Sequence, residues 1–362
     1  VARRLPDPEN TPRAATIRDV AAQAGVSVAT VSRVLTGNYP VAAETRAKVL
    51  RTVDELDYVV NAHARALSGT KSKIIAVLLS SITSPFFNRV VSGVEQQATA
   101  EDRLVMVGTT QGDPDREVRL VEVLREQNVD AVVLVGGVVD APAYRERMAR
   151  LARLLDSAGS RLVLCGRPSP GEDLPVTVVE YDNVGGAFAA TSHLLSLGHR
   201  RILFLGGEAA STTTVDRYSG YRGAMAAHGL ETDDDLILTG SDDEYFAYDR
   251  LRERLAAGPP DFTAIVAWDD LTAAKALLAL RKAGVAVPEE VSVVGFNDEA
   301  LAQDVLPALT TVSIPYTELG REAVRLALHR HEPTAARNQH IVLGTHLVLR
   351  DSVQPLIQAP LS

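Results

Sequence analysis

Arg33 carries five N–H donors in a flat fork, a shape that matches two acceptors side by side on a guanine edge. Val28, Ala29, Ser32 and Arg33 fall on one side of a short helical segment, with small or reaching side chains suited to base edges in a major groove. Ser27, Thr30 and the backbone N–H groups at that segment's start suit phosphate, which positions a protein without reading sequence. Val31 and Val34, with Val20 and Ala21 of the segment before it, would pack the two segments together. The plainer alternative is three small helices with a solvated polar face.

The elements that must hold these residues can be read from capping signals. Thr16 is placed to cap a helix through IRDVAAQA, and Gly25 ends it. After a tight turn at 24–26, Ser27 caps a second helix, VATVSRVL, which ends near Gly37. A third, AAETRAKVLRTVDELDY, carries Val49, Val53 and Leu56 at helical spacing. Two short helices across a tight turn form a helix-turn-helix, whose second helix enters a groove.

Catalytic constellations are missing from the sequence. No GxGxxG follows a strand, and Gly69-Thr70-Lys71-Ser72 lacks the earlier glycine and the Gly-Lys adjacency of a phosphate loop. No GxSxG elbow occurs, and the eight histidines show no ligand spacing. His199, in LGHRR, reads as closing a helix. The single cysteine, Cys165, excludes an internal disulfide framework and a cysteine-based metal site. No enzyme activity, cofactor or metal is expected.

Beyond Lys73 short apolar runs alternate with helical stretches: IIAVLLS, RLVMVGTT, DAVVLVGG, RLVLCGR, VTVVEYDN, then RILFLGG, DLILTGS, AIVAWDD and VSVVGFND. Such runs read as strands buried on both faces of parallel sheets, and there are too many for one sheet. The fold class is α/β: an all-α head, then a two-lobed core. Residues 1–13, with three prolines, read as a flexible tail, 14–59 as the head, 60–72 as a linker, 73–356 as the core and 357–362 as a tail. The first lobe is assigned about 73–181 and 299–329, and the second about 182–298 and 330–356. LTTVSIP and its helix are thus expected in the first lobe, and HIVLGTHLVLRDS in the second.

The net charge of -9 conceals a polarity along the chain. Residues 12–73 hold nine Lys/Arg against five Asp/Glu, and the acidic excess lies beyond them. A basic head on an acidic body implies that only the head meets phosphate. No apolar run approaches the length of a membrane helix, and VARRLPDPENTPRAA has no apolar stretch of a secretory signal. A soluble, cytoplasmic protein is expected.

TIRDVAAQAGVSVATVSRVLTG, followed by VAAETRAKVLRTVDELDYVVNAHARAL, resembles the head of the LacI/GalR family of bacterial repressors. The likeness continues through SPFFNRVVSGVE, YDNVGGAFAATSHLLSLGHRRI, DRYSGYRGAM, VPEEVSVVGFND, PALTTVSIP and RDS, and covers roughly residues 16–355. The resemblance implies a core with the fold of periplasmic sugar-binding proteins. It also implies a homodimer or tetramer on a pseudo-palindromic operator, and a small-molecule effector between the lobes. It places Thr16, Ser27, Val28, Ala29, Thr30, Ser32, Arg33 and Asn38 at DNA. It further implies that residues 62–67 form a hinge helix in the minor groove, with Ala64 facing the groove and Leu67 wedging a base step. Many members have proline where this chain has Val60.

Ligands of two-lobed α/β proteins bind where strand ends from both lobes meet. By resemblance, Phe86 and Phe87 wall the effector, while Arg217, Asp269 and Asn297 hydrogen-bond it; Thr213 and Asp242 join the same set. The plainer alternative makes Phe86 and Phe87 core at a helix start. Asp270 is expected to be a helix N-cap, and Trp268 either walls the site or packs beneath it. Asp182 and Asn183 fall at the lobe crossover. Ser211 and Asp242 stand near positions where some members have an arginine or an aromatic platform. The acidic site that results favours a neutral sugar, polyol or nucleoside over a phosphorylated or carboxylated effector. A periplasmic solute-binding protein would share the core but not the head.

Overall fold

The computed structural model describes residues 15–36, 39–58, 72–240, 245–330 and 339–356. They divide into two compact units, a helical head and an α/β core that starts at Lys73.

In the head, α1 (Ile17–Ala24), α2 (Val28–Thr36) and α3 (Ala43–Glu55) enclose a small apolar centre. Thr16 and Asp19 form a reciprocal capping box at the start of α1, and Gly25 closes it in the left-handed conformation at φ 60°. The Ser27 hydroxyl accepts the Thr30 N–H at 3.1 Å, capping α2. Val20, Ala21, Val31, Val34 and Val49 are buried together, with Val53 and Leu56 packed at the margin.

The core contains two six-stranded sheets. The first runs in the order β11-β5-β4-β3-β1-β2, from β1 (Ile74–Leu79), β2 (Leu104–Thr109), β3 (Ala131–Val135), β4 (Arg161–Cys165), β5 (Val176–Tyr181) and β11 (Gln339–Leu343). The second runs β12-β10-β9-β8-β6-β7, from β6 (Ile202–Leu205), β7 (Ile237–Leu238), β8 (Ala264–Ala267), β9 (Ser292–Asn297), β10 (Thr310–Ser313) and β12 (His346–Val348). Among the described residues, all strand pairings in these sheets are parallel except β10 with β12. Each of β3, β4, β6, β8 and β9 is buried along its whole length, as strands covered by helices on both faces must be.

Two strands lie in the opposite sheet from that expected. β10, the strand of LTTVSIP, pairs with β9 in the second sheet, and only the helix after it returns to the first lobe. That helix, α12 (Tyr316–Leu328), packs on α4 (Pro85–Ala100) and on β3, β4 and β5. β11, the strand of HIVL, pairs with β5 in the first sheet, and only β12 belongs to the second. Apolar periodicity shows that a segment is a strand but carries no label for which of two like sheets it joins. Here the chain crosses between lobes three times over short links: at Asp182, at Ile314–Pro315 and at Gly344–Thr345. The links are knitted together. Asp182 N–H donates to the Leu343 carbonyl at 2.9 Å, and Thr345 Oγ1 donates to the Asp182 carbonyl at 3.0 Å.

RDS anchors the end of the core. Arg350 meets Asp298 at 2.6 Å, and the buried Ser352 hydroxyl donates to the Val293 carbonyl at 2.6 Å. His199 is buried after α7 (Asn183–Ser196), with its ring nitrogens 3.0 Å from Thr263 Oγ1 and from the Gln354 carbonyl.

Candidate functional site

In the head, Val28, Ala29 and Arg33 are exposed on α2, Thr30 and Ser32 are half-buried, and Ser27 is exposed at the cap. The structure therefore sets these six on or beside one accessible face. The Thr16 hydroxyl is committed to the α1 cap, donating to Asp19 at 2.7 Å. Tyr39, which the sequence reading did not select, is largely exposed, and its ring centre lies 5.6 Å from the Arg33 guanidinium. An exposed aromatic just past the second helix was the available signal. Asn38, Ala64 and Leu67 lie outside the described residues.

In the core, Arg217 is the organising side chain. It lies in the first half of α8 (Thr212–Ala227) and is only 2% exposed. Its Nε donates to Asn183 Oδ1 at 2.9 Å, its Nη2 to Asn297 Oδ1 at 3.1 Å, and its Nη1 to the Trp268 carbonyl. The guanidinium carbon sits 3.6 Å from the centre of the Phe296 ring and 5.5 Å from Trp268, so aromatic faces meet the charge that burial strips of water. One residue thus ties together the ends of β8 and β9 and the crossover at Asn183. Asp182 beside it caps α7 by accepting the Gly185 N–H at 2.7 Å.

The first lobe contributes aromatics. Phe86 lies 5.2 Å from Phe87, 5.4 Å from Tyr316 and 6.1 Å from Tyr181 between ring centres. The Tyr316 hydroxyl donates to the Asn297 carbonyl at 2.7 Å, which joins this cluster to the Arg217 network. Arg89 Nη1 donates to the Asp298 carbonyl at 2.9 Å, a second bond between the lobes. Asn297 and Asp298 both have positive φ, 109° and 54°, a costly backbone held from both sides. Tyr181 and Tyr316 were not selected from the sequence; each stands at a strand end or just past one, where a polar tip on an apolar ring is the signal. Both phenylalanines are partly buried against the apolar core.

The carboxylates divide differently from the expectation. Asp269, not Asp270, is the N-cap of α10 (Asp270–Ala283), accepting the Thr272 N–H at 2.7 Å. Asp270 is fully buried; it accepts the Glu299 N–H at 2.7 Å and the Thr311 hydroxyl at 2.5 Å. Adjacent aspartates offer two possible caps, and the backbone of Asp269, extended at φ -148°, decides between them. Burial lifts the Asp270 carboxyl to about 7, against the pull of those two hydrogen bonds. Burial also raises Glu299, with the Asp269 charge adding to it.

Trp268 is half-buried at the end of β8, and its Nε1 is enclosed without a hydrogen-bond partner, as is Thr214 Oγ1. Thr213 is buried on the first turn of α8, where it faces Gly137 of the first lobe and not the Arg217 network. Asp242 lies outside the described residues. The structure thus brings together Phe86, Phe87, Arg217 and Asn297, sets Asp269 one residue from Trp268, and holds Thr213 at another strand end. Among the described residues, no group of His, Cys, Asp and Glu is placed to hold a metal ion. No helix there is long and apolar enough to cross a membrane.

Residues 16–61 match the family described as bacterial regulatory proteins, lacI family, and residues 191–353 match a periplasmic binding protein-like domain. The HTH-type transcriptional regulator DegA of Bacillus subtilis is 33% identical over 341 residues, covering 94% of this chain and 98% of the relative. Among solved structures, a transcriptional regulator CelR–cellobiose complex is 34% identical, with a TM-score of 0.69 over 93% of this chain and 99% of the other. The lac repressor dimer bound to operator and the anti-inducer ONPF shares the fold, with a TM-score of 0.78 at 24% identity, over 94% of this chain and 100% of that one. A helix-turn-helix head, a two-sheet core and identity sustained along nearly the full length agree: the chain belongs to the lacI family of bacterial regulatory proteins, DNA-binding transcription regulators and not enzymes.

Proposed function

We propose that this regulator represses transcription from a two-fold symmetric operator, and that a neutral, hydroxyl-rich small molecule between its lobes controls its affinity for that operator. A sugar leads the candidates, before a polyol or a nucleoside. The observation that carries the reading is the Arg217 cluster. A buried cation, two asparagine side chains and several aromatic faces meet where strand ends of both lobes converge. Amide and guanidinium groups suit hydroxyls, and flat rings suit the apolar face of a pyranose. The Asp269 carboxylate, at the cap of α10 beside Trp268, disfavours an added phosphate or carboxylate. The complex of CelR with cellobiose, a neutral sugar, points the same way.

On DNA, Arg33 reads a guanine, while Ser27 and Thr30 hold phosphate. Val28, Ala29 and Ser32 lie against base edges, and Thr16 and Asn38 lie at the margin of the interface. Ala64 and Leu67 enter the minor groove, where an apolar wedge opens a base step. The working form is a cytoplasmic homodimer, in which one helix-turn-helix reads each half-site. The edge strand β2, with Leu104, Met106 and Val107 exposed, is a surface that a second copy would cover.

A thermal-shift panel of cellobiose, other neutral sugars, polyols and nucleosides against the full chain tests the effector class. The reading expects a rise in melting temperature with a neutral sugar and none with its phosphorylated counterpart. The reverse order would refute it.

A further inference from the structure

The lobes are joined at a place the Arg217 network does not reach. Past the end of β3, Val138 N–H donates to Thr212 Oγ1 at 3.1 Å, and Thr212 N–H donates back to the Val138 carbonyl at 2.8 Å. Val139 and Ser211 form an antiparallel bridge beside this pair. Gly137 lets the two segments meet. A Cβ there would lie 2.5 Å from Thr213 Oγ1, 3.1 Å from Ser211 Oγ and 3.3 Å from Thr212 Oγ1. Ser211 is the N-cap of α8, yet its hydroxyl makes no cap hydrogen bond.

The first-lobe half is rigidly mounted. Gly136 donates its N–H to the Cys165 carbonyl at 3.0 Å, and its own carbonyl accepts from Arg167 Nε at 3.0 Å. Arg167 is buried, and its Nη1 donates to Glu117 at 2.8 Å. The second-lobe half is less settled: one residue along, Thr214 Oγ1 is buried without a partner, as is Trp268 Nε1, and both lie beside the place a Cβ on Gly207 would take. A buried polar group with no partner is a cost that a change of packing can relieve.

Position gives this contact leverage. The crossings run from β5, β10 and β11, at one side of each sheet. β3 lies two strands from β5, and β6, which leads to Ser211, lies three strands from β10. At about 4.8 Å per strand, the contact is roughly 10–14 Å from the crossings. The lobes cannot swing apart about the crossings without parting it.

We propose that Gly136–Gly137–Val138–Val139 and Ser211–Thr212–Thr213 form a latch, and that its opening sets the rate at which any molecule enters or leaves the space between the lobes. The inference concerns lobe opening and does not depend on which effector binds or on DNA.

The chain has one tryptophan, Trp268, half-buried at the end of β8 beside Arg217, whose network is joined to the first lobe through Asn297 and Tyr316, so the full-length protein reports its own opening. Acrylamide quenching of Trp268 fluorescence, well below the melting temperature, is the measurement. Gly137→Ala adds a methyl group whose three nearest neighbours are second-lobe hydroxyls, at a backbone outside the left-handed region. It should raise the quenching constant about two-fold or more, with an unchanged far-ultraviolet circular dichroism spectrum. Thr212→Val, which removes the acceptor of the Val138 N–H, should raise it less, and it decides the matter if Gly137→Ala does not fold. Wild-type quenching in folded variants would overturn the latch.

Discussion

Arg217 donates to Asn297 at 3.1 Å while its guanidinium carbon lies over the neighbouring Phe296 ring, 3.6 Å from the ring centre. This arrangement ties the core together. The sequence had suggested an arginine held ready for the effector; the structure gives it three protein acceptors already.

Arg217→Ala should therefore lower stability as well as ligand affinity. It strands the buried Asn297 side chain, at about 1–3 kcal/mol for a buried acceptor left unpaired, and leaves the half-buried Asn183 and Trp268 acceptors to water at a smaller cost. The core should melt several degrees lower, measured by calorimetry on the full chain. An unchanged melting temperature with lost sugar binding would mean that these acceptors find other donors.

Arg33→Ala should cost roughly 1–3 kcal/mol per half-site and relax preference at one base position. Thr30→Ala should weaken all sequences alike. Fluorescence anisotropy with specific and random duplexes separates the two. Equal losses on both duplexes for Arg33→Ala would make it a phosphate contact.

Leu67→Ala should leave the stability of the free protein nearly unchanged while reducing operator affinity and DNA bending together. A circular-permutation bending assay with a parallel melt tests this. A loss of stability with an unaltered bend would make Leu67 a packing residue.

Asp270 should make the core less stable as pH rises. Its folded carboxyl holds a proton up to about 7, whereas the unfolded carboxyl releases it near 3.8. Between those values the folded chain binds more protons, so stability falls from about pH 4 to about pH 7 and then levels. The slope contributed by one such group is at most about 1.4 kcal/mol per pH unit. Glu299 and Asp216, also raised by burial, act with the same sign. Urea midpoints from pH 5 to pH 8 should show a shallower slope in Asp270→Asn, despite a lower baseline from the lost acceptor. An identical slope would assign the dependence to other groups.

The head was legible in the sequence because its signals are local. Thr16, Gly25 and Ser27 each act within one turn, and the structure uses them as caps. The buried strands were legible for the same reason. What the sequence could not supply was long-range placement. β10 and β11 look alike as apolar strands, and only the short crossings at Asp182, Ile314–Pro315 and Gly344–Thr345 sort them between sheets. Trp268 could be assigned neither to the wall of the site nor beneath it, because its setting depends on Arg217, distant in sequence. The contact at Gly137 was likewise invisible, since a glycine in a strand-end turn gives no hint of three hydroxyls opposite it.

Selection from a pool of random-sequence duplexes tests the central claim of sequence-specific operator binding most directly. The full chain should enrich a two-fold symmetric site, bound with an affinity that falls steeply as salt rises, because phosphate contacts release counterions. The same selection with residues 73–362 should enrich nothing. Failure of the full chain to enrich any symmetric sequence, or equal enrichment by the headless core, would contradict the account.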